Sequence, residues 1–88
     1  MIVEATKSFE KDALKISDRK IANLLSKAIE KLEACESLSK IPHIKKMAVK
    51  GNYYRLRIAG YRLGFRLDDK TITLLRFMNR KDIYKYFP

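Results

Sequence analysis

The sequence predicts an α+β domain in the order β-α-α-β-β-β. Two N-terminal helices pack on one face of a small, mainly antiparallel sheet, and a short tail follows. Three observations predict it. Residues 19–36 place Ile21, Leu24, Leu25, Ala28, Ile29 and Leu32 at the i, i+3, i+4, i+7 spacing of one helix face. Residues 53–67, "YYRLRIAGYRLGFRL", alternate with period two on either side of Ala59-Gly60, as a hairpin does. The chain has 88 residues, enough for one domain spanning 1–88 and no more. A domain this small buries only about 60% of its unfolded surface, so its core is thin.

Each element follows from its residues. "IVEAT" (2–6) alternates weakly and reads as a first strand. "KSFEKDALKI" (7–16) reads as a short helix capped by Ser8, with Phe9, Ala13 or Leu14, and Ile16 toward the core. Ser17-Asp18 breaks it and caps the long helix. "SLSKIPHIKK" (37–46) contains Pro42 and reads as a connecting loop. Lys50-Gly51-Asn52 makes a turn or bulge before the hairpin strands 53–59 and 61–67. Tyr54, Leu56 and Ile58 share a face in the first strand, and Tyr61, Leu63, Phe65 and Leu67 in the second. The other face carries Tyr53, Arg55 and Arg57, then Arg62, Gly64 and Arg66. Asp68-Asp69-Lys70 turns the chain into "TITLLRFMN" (71–79), and 80–88 forms the tail, with room for one helical turn. The helices must cover the apolar face, which leaves the arginine face exposed.

Charge bounds the function. Twenty Lys and Arg against ten Asp and Glu give a net charge of +10. Such a domain meets a polyanion or an acidic protein. No acid stands between Glu36 and Asp68, where Lys40, Lys45, Lys46, Lys50, Arg55, Arg57, Arg62 and Arg66 lie. Solvated faces ordinarily mix signs. No apolar run approaches the roughly 20 residues of a membrane helix, and "MIVEATKSFEKD" is not a signal peptide. Cys35 is alone, which fits a reducing cytoplasm. One Cys and one His are too few for a zinc site within one chain. His43 reads as a solvated or locally bonded histidine, Cys35 as a small buried or half-buried residue, and Tyr53, Tyr54 and Tyr61 as packing residues.

"YYRLRIAGYRLGFRL" followed by "NRKDIYKYFP" resembles the RelE/ParE superfamily of toxins. There a "YRIRIGDYRI"-type hairpin follows the helical half and the closing strand ends in an "HRxxxY"-type motif. The resemblance implies a fold close to that of small microbial ribonucleases and a cognate antitoxin partner. Its RelE branch implies cleavage of messenger RNA in the ribosomal A site, with mRNA and ribosome (16S rRNA) as partners. Its ParE branch implies poisoning of DNA gyrase, and a catalytically weak RNA-binding member is a further alternative. The RelE motif positions match Arg55, Arg57, Arg62, Arg80 and Tyr84. Asn79 stands where many relatives have His, and Asn cannot carry a proton.

Metal-free RNA cleavage needs three things. The 2′-hydroxyl must lose its proton, the phosphorane charge must be stabilised, and the 5′-oxygen must leave. No metal or other cofactor is expected. Arginine suits the second task because its planar fork pairs with phosphate oxygens. Arg57, Arg62 and Arg80 are the candidates, with Tyr84 to stack on a base or hold the phosphate. Lys50, or Lys46, crowded by other cations, is the candidate base. Arg55, Lys45, Lys46, Arg66 and Lys81 are expected to bind RNA and ribosome.

Overall fold

The computed structural model describes residues 1–88. The elements are β1 (Ile2–Ala5), α1 (Lys7–Leu14), α2 (Arg19–Ala34), a 3-10 turn at Leu38–Lys40, β2 (Ile44–Lys46), β3 (Tyr53–Ile58), β4 (Tyr61–Asp68), β5 (Thr71–Asn79) and α3 (Arg80–Tyr86). The five strands form one sheet in the order β1-β5-β4-β3-β2. β1 runs parallel to β5, and every other pairing is antiparallel.

One layer of core lies between the sheet and the helical pair. Phe9 from α1 and Ile21, Leu25 and Leu32 from α2 meet Leu56, Leu63, Phe65, Ile72, Leu74 and Phe77. Tyr54 stacks on Phe65 and Tyr61 on Phe77, extending this layer. Asp18 caps α2 as expected, its Oδ1 accepting from the backbone N–H of Lys20 at 2.9 Å.

Three expectations need correction. Thr6, not Ser8, caps α1: its Oγ1 accepts from Phe9 N–H at 3.2 Å and donates to the Leu74 carbonyl at 3.0 Å. Thr6 thus ends β1 and starts the helix in one residue. Of the two alternatives on α1, Ala13 packs toward the core with Ile16 and Leu14 is 86% exposed, while the second fully buried residue of the helix beside Phe9 is Asp12. β1 pairs with β5 only as far as Leu74, so the next N–H groups of β5 lack a strand. Asp12 supplies an acceptor there. Its carboxylate receives Phe77 N–H at 2.9 Å and the Arg76 guanidinium at 2.8 and 3.1 Å. A buried carboxylate is stable only with such partners.

The segment read as a loop holds a strand: β2 pairs Ile44, Lys45 and Lys46 with Leu56, Arg55 and Tyr54. Three residues, two of them lysine, are too few to show a period.

The tail is a helix, and it covers part of the arginine face. Asn79 Oδ1 caps α3 by accepting from Lys81 and Asp82 N–H, each at 3.0 Å. Ile83 and Phe87 bury themselves with Met47, beside Tyr53, Leu75 and Met78, in a second cluster on that face. A side chain there would ordinarily block the approach. Gly64 removes it: a Cβ at Gly64 would stand 2.6 Å from Phe87 Cδ1. The register shift between Gly64 and Phe65 lies at the same place.

Gly64→Ala is therefore expected to push Phe87 out and loosen α3 while the main core persists. The expected cost is about 1–3 kcal/mol in denaturant unfolding. Amide exchange should quicken in 80–87 and stay slow in β4.

Candidate active site

The β3–β4 hairpin puts Arg55, Arg57, Arg62 and Arg66 on one face at fixed spacing. Arg57 pairs across the ladder with Arg62, and Lys45 on β2 pairs with Arg55. The hairpin turn holds Ala59 at φ 54°, a left-handed conformation that disfavours a side chain. Arg62 braces that turn: its guanidinium donates to the carbonyls of Ala59 at 3.1 Å and Tyr61 at 2.9 Å. Arg80, the first residue of α3, donates its N–H to the Gly60 carbonyl at 3.0 Å. The start of α3 is thereby pinned to the same turn.

His43, Ile44, Lys45, Arg55, Arg57 and Arg62 line an open concavity of about 260 Å³. No carboxylate lines it. Partial burial, and behind it the charges of Arg55, Arg57 and Arg80, hold the Arg62 guanidinium below its ordinary pKa, with Tyr84 acting in the opposite sense. Cations held this close repel one another, and a bound anion relieves that repulsion. The arrangement suits a phosphate group.

Tyr84, 67% exposed, lies under a second cation: the Arg55 guanidinium carbon is 4.8 Å from its ring centroid. Phe87, not Tyr84, anchors α3 in the core. Lys81 is exposed in the first turn of α3. Lys50 lies in the exposed bend between β2 and β3, outside the lining of the concavity. Lys46 registers with Tyr54, on the side of the sheet that faces α1 and α2. Arg66 pairs with Asp68 at 2.6 Å, which raises its pKa, and is also outside the lining. The lining thus brings together Lys45, Arg55, Arg57 and Arg62; Arg80 and Tyr84 stand outside it but close enough to act on Arg62 and Arg55, and Lys46, Lys50 and Arg66 lie outside it.

His43 was not among the expected site residues. Its Nδ1 is 2.9 Å from a terminal nitrogen of Arg57, and its carbonyl accepts Arg57 N–H at 3.0 Å. Its backbone lies at φ 68°. The sequence signal for it was slight: a sole histidine between Pro42 and a cationic strand.

The family model for the ParE toxin of type II toxin-antitoxin system, parDE, matches residues 3–84. The chain belongs to the RelE/ParE toxin superfamily. It is 38% identical over 89 residues to Toxin RelE3 of Methanocaldococcus jannaschii, covering all of both chains. Its fold matches a chain of the RelB-RelE antitoxin-toxin complex from Methanococcus jannaschii with a TM-score of 0.82, at 34% identity, covering 97% of this chain and 99% of that one. The toxin-antitoxin complex RelBE2 from Mycobacterium tuberculosis matches with a TM-score of 0.69 at 26% identity, over 90% and 96% of the two chains. The protein is a RelE-like toxin of a type II toxin-antitoxin system. No helix of the toxin is long and apolar enough to cross a membrane.

The like-charge cluster makes the toxin's stability depend on salt. Raising ionic strength from about 0.01 M to about 0.15 M shortens the screening length from about 30 Å to about 8 Å. The Tm is expected to rise over that range, and to rise less in Arg62→Gln, by differential scanning fluorimetry. An equal rise in both proteins would place the repulsion elsewhere.

Proposed function

We propose that this toxin is a ribosome-dependent endoribonuclease that cleaves messenger RNA in the A site and so stops translation. The observation that carries the reading is the concavity where Arg57 and Arg62 face each other, with Arg80 close behind and no carboxylate in the lining. Forked cations at fixed positions hold a phosphate and stabilise charge that grows on it. Arg57, Arg62 and Arg80 take this role. Tyr84, exposed and backed by Arg55, offers a nucleobase a stacking surface. Arg55 and Lys45 carry the neighbouring phosphates of messenger and ribosomal RNA. Attack by the RNA's own 2′-hydroxyl needs proton transfer and charge stabilisation, and these side chains supply the second.

The reading also sets the partners. A cognate antitoxin binds the toxin and neutralises it, as the complexes of similar toxins suggest. It is expected to be acidic where it meets the arginine face. The toxin acts in the cytoplasm, where translation runs.

A second reading rests on the ParE description of the family model: a gyrase poison that acts by binding alone. The test separates the two. The toxin is added to a purified translation system carrying a defined messenger, and 5′ ends are mapped by primer extension. New cuts in the A site that require ribosomes are expected. Arg62→Ala and Arg80→Ala should each slow them by about 10²–10³-fold. Folded toxin that makes no cuts, yet traps gyrase on cleaved DNA, would establish the second reading instead.

A further inference from the structure

Resting on the nuclease reading, we infer that His43 takes the 2′-hydroxyl proton, and that Arg57 covers its lone pair until a phosphate draws the guanidinium away. The chemistry of the His43–Arg57 contact assigns donor and acceptor. A guanidinium only donates hydrogen bonds and does not lose its proton in proteins. His43 Nδ1, 2.9 Å from the Arg57 terminal nitrogen, must therefore be the acceptor. In this contact Nδ1 presents its lone pair to Arg57.

Position supports the role. The left-handed backbone at φ 68° and the bond from Arg57 N–H to the His43 carbonyl fix the His43 main chain beside β3, where the residue lines the concavity. The charged groups lining the two hollows it borders are Lys27 and Lys31 from α2, Lys45 from β2, Arg55 and Arg57 from β3, and Arg62 from β4. All are cations. No carboxylate is there to act as base, and Lys50 and Lys46 lie outside this lining. A phosphate is a stronger acceptor for a guanidinium than a neutral imidazole is. When RNA enters, Arg57 turns to the phosphate and Nδ1 is left bare beside it.

The step then balances. The 2′-oxygen bonds to phosphorus as its proton passes to Nδ1. The bond from phosphorus to the 5′-oxygen breaks, and that oxygen takes a proton from water. The ends are a 2′,3′-cyclic phosphate and a 5′-hydroxyl, and the imidazolium returns its proton to solvent.

His43→Asn is the discriminating variant. Asn tolerates the left-handed backbone and keeps an acceptor near the Nδ1 position, but it cannot take the proton. Single-turnover cleavage of ribosome-bound messenger is measured from about pH 5.5 to about pH 8.5, where an unperturbed histidine changes charge. The native toxin should show a rate that rises with pH through an acid limb and then levels. The variant should be about 10²–10⁴-fold slower and lack that limb. A variant within a few-fold of native, or a slow one that keeps the acid limb, overturns the inference. A native toxin that cuts at no pH overturns the nuclease reading itself, which is a separate failure.

Discussion

The site depends on one missing side chain. Gly64 sits in the middle of β4, on the face away from the main core, and its bare Cα lets Phe87 lie against the sheet. Burying a phenylalanine contributes about 1.5–3 kcal/mol, and that gain holds a seven-residue helix too short to persist alone. Everything that α3 brings follows from this seat. Asn79 caps its start, Arg80 is tied to the Gly60 carbonyl, and Tyr84 reaches Arg55. A second anchor comes through the buried ion pair. Asp12 on α1 orients Arg76, whose guanidinium carbon lies 5.3 Å from the Tyr86 ring centroid. One carboxylate thus joins the first helix, the free edge of β5 and the last helix.

Against that packing stands an electrostatic cost. Arg55, Arg57 and Arg62 share one face with Lys45, and Arg80 adds a further charge. Strands that only complete a sheet gain nothing from this arrangement. The chain has acids to spare, and it places them elsewhere: Asp12 in the α1 contact, Asp18 as a helix cap, Asp68 on Arg66. The concavity is left without a carboxylate, so its cations, held by carbonyls, an imidazole and a ring face, have no counter-ion there. Such pre-set repulsion is what a phosphate-handling site requires, since the bound anion then gains most.

Much of this was legible in the residues. The period-two hairpin placed Arg55, Arg57 and Arg62 on one face, and the apolar spacing of 19–36 fixed the long helix. What escaped did so for physical reasons. β2 is too short to show alternation. The tail was read with room for one helical turn and no more, because its apolar residues Ile83 and Phe87 have partners only in the fold, at Met47 and Gly64. Asp12 sits where an amphipathic pattern wants an apolar residue, and its reason appears only once β1 stops at Leu74. His43 is 14 residues from Arg57, and a left-handed backbone that no local pattern announces turns it there.

The most direct test of the account is a cryo-electron microscopy structure of the toxin on a programmed ribosome. The messenger should carry a 2′-deoxy nucleotide at the cleavage position, which blocks the reaction and traps the complex. The account predicts the arginine face turned to the A-site messenger, with the guanidinium groups of Arg57, Arg62 and Arg80 on the scissile phosphate and a nucleobase against Tyr84. A toxin bound with that face toward solvent, or held away from the messenger, would contradict it.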